Sequence, residues 1–313
     1  MVEIVGWVAS LERRQALWRA IDIVSISNGD LLEKVRAREV YHYTDLGAAP
    51  PLLSTRNFWL TDAMYCNDSK EIIEAAGIIE EAWDEINKTG MLTLAPGSII
   101  GFATAEVANF NLAYAGYSAT RTGFSALVCC FCEGDHTLTG LSPSRKPQDI
   151  LSQWRAYGAN GRGICVSVPA IDLLTAASGV AGLSFQPVLY YKAAQRQLLA
   201  DLIKGTTSAG NLRDALFMIT PLFKHPGFAE EREWRLVFLP QFAAASLALR
   251  FRARSDLLIP YLDVDSIIGG TNSLSITEVM CGPSNLPDLN EAAIGRIPGV
   301  TASILRSAIP YRV

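Results

Sequence analysis

The chain predicts an α+β fold, and three observations carry that prediction. Strand-like and helix-like segments come mixed along its 313 residues without strict alternation, which disfavours a doubly wound parallel sheet. Half of the residues are apolar and only 19% are charged, enough to bury a sizeable core. No internal repeat or linker composition interrupts the run. One domain over residues 39–313 with an N-terminal helical extension over residues 1–38 is therefore the simplest organisation.

The extension reads as helical from Leu11, Leu17, Trp18 and Ile21, then from Leu31, Leu32 and Val35 beyond the break at Ser27–Asp30. Glu39–Thr44 reads as a strand by its β-branched and aromatic residues, with Asp45–Gly47 as the turn after it. Asp68 and Glu71 have the spacing of a capping box. They open a helix in which Ile72, Ala75, Ala76, Ile79, Ala82, Trp83 and Ile86 recur at helical spacing. Residues 90–120, small and mostly uncharged, read as a helical hairpin on the core. Strands are expected at Ala126–Cys132, Ile164–Val168, Val188–Tyr191, Glu233–Leu239, Ala248–Arg252, Val279–Cys281 and Val300–Arg306. Helices are expected at Gln148–Tyr157, Ala193–Lys204, Leu212–Phe223 and Asn285–Ile294.

Composition narrows the function classes. A net charge of −4 argues against wholesale coating of nucleic acid, although a local basic groove stays open. Cys129, Cys130 and Cys132 sit in an apolar run that reads as a buried strand. The three histidines are scattered, so no zinc pattern and no metal site emerge. The uncharged run Thr89–Ala105 is broken by Pro96 and glycines and is no membrane span. The start of the chain, with Glu3 and no long apolar core, does not read as a signal peptide. A cytoplasmic protein without a membrane partner is expected.

Four clusters carry candidate chemistry. His42 stands at a strand end between Tyr43–Thr44 and a turn, where ligand-holding groups are common; a buried histidine bonded to backbone is the plain alternative. Asn67 precedes the Asp68–Glu71 cap, which explains both acids but leaves the asparagine over for a ligand. Trp154 and Tyr157 share a helix face beside Arg155. Gly158, Gly161 and Gly163 follow, making either a tight turn or a close backbone approach to a ligand, with Arg155 as an anion clamp. Finally, alternation from Glu233 puts Glu233 and Arg235 on one strand face, as a salt bridge or as a carboxylate aimed into a cleft.

Together these clusters resemble the bacterial "domain of unknown function 2971" family, from about Val40 to Arg312. The resemblance rests on Tyr41-His42-Tyr43-Thr44, Asn67-Asp68-x-x-Glu71, the Cys130–Glu133 strand, and the helix Leu151–Gly158 with its glycine turn. It continues through the run Phe223–Val237, Cys281-Gly282-Pro283, and the ending Ser307-x-Ile309-Pro310-Tyr311-Arg312. Between Asp135 and Asp149 this chain has an insertion, and its first 38 residues lie outside the match.

More remotely, the layout is similar to the ADP-ribosyltransferase superfamily. A histidine-bearing strand end, the Gly161–Val166 turn-to-strand and a glutamate opening a late strand come in that order. This resemblance implies a mixed, mainly antiparallel bent sheet and NAD as substrate, for ADP-ribosyl transfer or NAD hydrolysis in a toxin or phage-defence setting. Cleaving the nicotinamide–ribose bond creates an oxocarbenium-like centre, so a carboxylate must hydrogen-bond the 2′-hydroxyl. Glu233 takes that role by resemblance, and His42 holds the other ribose. Arg155 or Arg235 takes the pyrophosphate, and Thr44, Asn67, Gly161 and Gly163 complete the lining. Cys165 stands where the superfamily has a stacking tyrosine, which leaves Tyr43, Trp154 or Tyr157 to stack nicotinamide. The acceptor, protein or nucleic acid, is not specified by the residues. On this reading His42, Trp154–Tyr157 and Glu233 line one cleft, with Gly161–Gly163 on its wall. The alternative is a non-catalytic ligand-sensing or protein-interaction domain, in which Glu233 pairs with Arg235 and His42 is structural. A third reading, a Cys/His hydrolase, uses Cys130 or Cys165 with His42 or His225.

Overall fold

A computed structural model of the chain describes residues 38–66, 71–120, 125–136, 146–243, 247–254, 256–269, 274–284 and 286–310. The expected extension up to residue 37, Asn67 and the Asp68 cap fall outside them. In chain order come β1 (Glu39–Thr44), α1 (Ala49–Thr55), β2 (Trp59–Asp62), α2 (Glu71–Thr89), β3 (Met91–Ala95), β4 (Ser98–Gly101), α3 (Thr104–Thr120) and β5 (Leu127–Cys132). Next are α4 (Leu151–Ala156), β6 (Ile164–Pro169), α5 (Ala170–Ser178), β7 (Leu183–Pro187), α6 (Lys192–Gly205), α7 (Ala209–Ile219) and β8 (Glu233–Phe238). The last are β9 (Arg250–Arg254), β10 (Leu257–Asp263), α8 (Val264–Ile268), β11 (Glu278–Cys281), α9 (Pro287–Ile294) and β12 (Ser303–Arg306). The α+β class expected from the sequence is borne out.

The described residues form two compact units, one including Asp62–Ala126 and Val188–Ala229, the other 38–61, Leu127–Pro187 and 230–310. The first is mainly helical. Its helices α2, α3 and α7 pack through aromatic residues: Trp83 stacks on Tyr114 at 4.6 Å and Tyr117 meets Phe217 at 4.9 Å. Their polar edges are satisfied, with Trp83 Nε1 donating to Asn111 at 2.8 Å and the Tyr117 and Thr220 hydroxyls 3.0 Å apart. Burial of these rings is the main stabilising term, roughly 1.5–3 kcal/mol for each large side chain removed from water.

The expected helical hairpin over residues 90–120 is corrected in its first half. Met91–Ala95 and Ser98–Gly101 form an antiparallel β-hairpin, and only Thr104–Thr120 is helical. Pro96 followed by Gly97 at φ +80° makes the turn, since proline presets the first corner and only glycine takes a positive φ without strain.

The second unit is built on an open sheet with the order β12-β11-β6-β1-β5-β2-β10-β9. It forks at β5, which also pairs with β8, while β8 pairs in turn with β7. β11 and β12 run parallel. The pairings of β1 with β5 and β6, β6 with β11, β5 with β8, β8 with β7, and β10 with β2 and β9 are all antiparallel. Strands β2, β7 and β10 were not among the expected ones. The expected strand Val188–Tyr191 is reduced to a single bridge between Leu189 and Phe223, and the strand itself lies just before it at Leu183–Pro187.

Candidate functional site

Strand alternation settles which side chains of the second unit can meet. On β1, Tyr41 and Tyr43 point to one face and His42 to the other. Directly opposed residues of an antiparallel pair share a face, so the register carries this division across the sheet. Tyr41 pairs with Cys132 and Tyr43 with Cys165. Cys132 pairs with Glu233, Cys130 with Arg235, and Arg235 with Gln186. Tyr41, Tyr43, Cys132, Cys165, Glu233, Arg235 and Gln186 thus share the first face. His42, Phe131 and Trp234 belong to the second.

On the first face the buried residues Tyr41, Tyr43, Cys132, Trp154, Cys165 and Met280 form one apolar cluster, with Tyr157 packed against it. Helix α4 brings Trp154 down onto this cluster, edge-on to Tyr43 with ring centroids 4.9 Å apart. The indole is fully buried and its Nε1 donates to Asp149 Oδ1 at 3.0 Å. Tyr43 is 7% exposed and its hydroxyl donates to the main-chain oxygen of Gln148. Burial pushes both tyrosine hydroxyls on β1, Tyr41 and Tyr43, well above their ordinary titration range. Neither Trp154 nor Tyr43 offers an open ring face to nicotinamide, so the stacking role expected for them is not met in this arrangement. Tyr157, half-buried at the cluster's margin, donates its hydroxyl to Glu231 Oε1 at 2.8 Å.

Beside this cluster lies a closed ion pair. Arg235 Nε and Nη2 donate to the two carboxylate oxygens of Glu233 at 2.7 and 3.0 Å. The two side chains are only 3% and 5% exposed. A fork-to-fork pair of this kind is directional and strong, and removing one partner strands a buried charge. Arg235 is therefore committed to Glu233, not held ready for a pyrophosphate as expected. Before the pair, Arg232 adopts φ +43°, a left-handed conformation that costs about 1–3 kcal/mol in a non-glycine residue. Its carbonyl accepts from Glu133 N at 3.0 Å and its Nη1 donates to Gly134 O at 3.2 Å. This kink ends strand alternation, so Glu231 closes a 3-10 turn and does not share the strand geometry of Glu233.

His42 occupies different surroundings. Its ring lies 5.6 Å from both Phe58 and Phe131, and Cys129 Sγ is 3.8 Å from Nδ1. Nδ1 is 2.8 Å from the Cys130 carbonyl, which can only accept, so Nδ1 carries the proton. Burial lowers the His42 pKa, with Arg252 adding to the effect and the Cys130 carbonyl opposing it. The ring is neutral at pH 7. The expectation that His42 and Glu233 line one cleft is overturned: one residue of register separates the histidine from Tyr41 and Tyr43, and that places it on the opposite side of the sheet.

The glycine turn is also explained by packing. A Cβ on Gly163 would lie 2.0 Å from the Thr44 carbonyl oxygen, and one on Gly158 would lie 2.5 Å from the Trp154 ring. Ala159, Asn160 and Gly161 all take positive φ, at +50°, +56° and +83°. The turn closes on itself, with Gly158 O accepting from Gly161 N at 3.0 Å and Gly163 N at 2.9 Å. Protein backbone fills the approach that Gly163 was expected to open to a ligand. Arg155 is exposed, and Thr44 is half-buried on the His42 side of β1.

Sequence reasoning missed two polar groups. Asp149, 1% exposed, also accepts from Ser307 Oγ at 2.5 Å and Ala308 N at 2.7 Å, which explains the Ser307-x-Ile309-Pro310 ending as a clasp on α4. No local signal joins residues so far apart in the chain. Gln186, 1% exposed and opposite Arg235, has an Oε1 that meets no donor among the described residues. Two of the buried thiols are held protonated: burial pushes Cys132 up to about 12 and raises Cys165 well above its usual range. Cys165 is also on the opposite face from His42, so that Cys/His pairing is not formed. Among the described residues no cluster of three or more His, Cys, Asp or Glu is placed to hold a metal ion, and no helix is long and apolar enough to cross a membrane.

Residues 153–236 match the family described as "Protein of unknown function (DUF2971)", which bears out the family resemblance read from the sequence. The matched segment runs from Gln153 through the glycine turn to Glu233, Arg235 and Leu236, and so contains the ion pair and Gln186. No curated protein and no solved structure matches the chain.

Proposed function

We propose that this chain is a non-catalytic ligand-sensing protein whose binding site lies at the start of β8, around Glu231, Glu233, Arg235 and Tyr157. One observation carries the reading: both oxygens of the Glu233 carboxylate are engaged by Arg235 in a buried pair. A carboxylate so neutralised is poorly suited to stabilising a developing oxocarbenium ion, and His42 is on the other sheet face. NAD is the first ligand to test, because the order of motifs resembles that of NAD-using enzymes. All six cysteines are free, which suits the reducing cytoplasm.

A second reading keeps NAD cleavage, by transfer or hydrolysis, and moves the catalytic carboxylate to Glu231. Its support is the half-buried Glu231 held at 2.8 Å by the Tyr157 hydroxyl, an oriented acid beside an aromatic ring. Incubating the purified protein with NAD and following both complex formation and nicotinamide release separates the readings. Binding without release supports the sensor. Release that persists in Glu233→Gln and falls about a hundredfold in Glu231→Gln supports the second reading. Absence of both sinks the NAD proposal. Toxic expression relieved by Glu231→Gln would independently favour catalysis.

A further inference from the structure

The uncharged stretch from Thr89 to Ala105 contains the β3–β4 hairpin. An antiparallel sheet with one face in water normally turns polar residues outward. This hairpin turns apolar residues both ways. Leu92 is fully buried where β3 packs on α2 and α6. Thr93 lies opposite Ile99, so Met91, Thr93 and Ile99 share the other face. There Met91 is 50% and Ile99 61% exposed.

The two edges of the hairpin differ as well. Phe102 N donates to Gly90 O at 2.9 Å, which sets the phase of the ladder. Met91–Gly101 and Thr93–Ile99 are then the pairs whose N–H and C=O groups turn away from each other. On β3 this outer edge is closed, since Thr93 N donates to Glu85 Oε1 at 2.7 Å. On β4 the N–H and C=O groups of Ile99 and Gly101 meet no partner among the described residues, and only β3 packs substantially on the strand. Folded proteins guard such edges with charge, proline or cover. At one end of the large sheet, β9 carries Arg250 with its side chain 64% exposed, while β7 ends in Pro187 and packs on α5. None of these guards stands on β4.

The same features select the occupant. A two-fold axis at Ile100 sets Ile99 opposite the partner subunit's Gly101, and the outward groups close four main-chain hydrogen bonds. The glycine leaves room for both copies of Ile99 to meet on one sheet face. Antiparallel self-pairing also brings each charge close to its own copy, which disfavours it at β9 with Arg250 and Arg252. Between Thr89 and Ala105 there is no charge to repel.

We propose that β4 is a homodimerisation edge: two copies of the chain pair antiparallel through Ser98–Gly101 and join their hairpins into one four-stranded sheet. The inference does not depend on the ligand reading at β8.

Sedimentation of the full chain in reducing buffer, from about 1 to 100 µM, tests it. The wild type is expected to reach about twice the 34.0 kDa chain mass within that range. In the dimer the amides of Ile99 and Gly101 should exchange hydrogen slowly, and after dilution at the rate of open chain. Ile99→Lys, at an exposed position that leaves the ladder to β3 intact, should raise the dissociation constant about tenfold or more with an unchanged far-UV spectrum. Phe251→Lys on β9 should dimerise as the wild type does. A wild type that stays at 34.0 kDa throughout overturns the proposal. So does a dimer whose Ile99 and Gly101 amides exchange as fast as in the monomer. Dissociation by Phe251→Lys but not by Ile99→Lys moves the interface to β9 and overturns it too. If Ile99→Lys does not fold, hydrogen exchange in the wild type decides alone.

Discussion

The two faces of the strands β1, β5 and β8 are built from neighbouring residues, yet they differ in kind. One face carries Glu233, Arg235 and Gln186 beside the rings of Tyr41, Tyr43 and Trp154. The other carries His42 against Phe58 and Phe131. The first is a polar arrangement held in the protein interior, where the Glu233 and Arg235 charges offset one another. The second is an aromatic nest around a neutral imidazole, stabilised by burial and one backbone hydrogen bond. The difference teaches that two motifs placed side by side by a family-like order need not share a site. A strand sends consecutive residues to opposite faces, so a single position decides the partner.

The turn between α4 and β6 is the point where this division is most sensitive. Gly163→Ala forces a Cβ to within 2.0 Å of the Thr44 carbonyl, backbone against backbone with no flexible side chain to yield. The expected loss is on the order of 5 kcal/mol, or no folded protein at all, measured by urea denaturation of whatever soluble material is recovered. Gly205→Ala is the control. Nothing lies within 4 Å of its added Cβ, and a change within about 1 kcal/mol is expected. If both substitutions were equally mild, the packing account of the turn would be wrong.

On the polar face, Arg235→Leu leaves the Glu233 carboxylate buried without its partner and should cost about 3–5 kcal/mol. Replacing both by leucine removes the stranded charge, so the double variant should be more stable than the single one. A double-mutant cycle by chemical denaturation reads this coupling directly. Simple additivity of the two losses would show that the pair is not closed in solution.

The smallest effect is expected on the aromatic face, and it depends on pH. The folded-state pKa of His42 is depressed by burial below its unfolded value of about 6.5. Between those two values the unfolded chain binds the proton and the folded protein does not. Stability attributable to this group is therefore complete above about pH 6.5 and declines as pH falls through the unfolded value toward the folded one. His42→Phe should change stability at pH 7.5 by about 1 kcal/mol and flatten this part of the acid limb. An acid limb that is the same in both proteins would mean that His42 titrates normally and is open to solvent.

Local features of the fold were legible wherever the chain announces them locally. The strand Glu39–Thr44, the strand opening at Glu233 and the helix around Trp154 were expected from residue type and spacing, and they form nearly as read. Trp59–Asp62, only four residues long, and Leu257–Asp263, interrupted by Pro260, were not read as strands, and each becomes one by pairing with the other. Pro96–Gly97 did mark its turn in the sequence, and the flanking apolar runs could have been read as strands.

The site divides in the same way. By itself the sequence determined the α+β class, the family resemblance, the alternation that makes Glu233 and Arg235 neighbours, and the presence of histidine, aromatic and glycine motifs. Their partners were decided only by the tertiary structure. Register across β1, β5 and β8 set His42 apart from Glu233, and β7 brought Gln186 to Arg235. The chain end returned Ser307 to Asp149. The physical reason is that residue type and local spacing encode periodicity, whereas strand register depends on pairing between segments far apart in the chain, and a shift of one residue exchanges the faces.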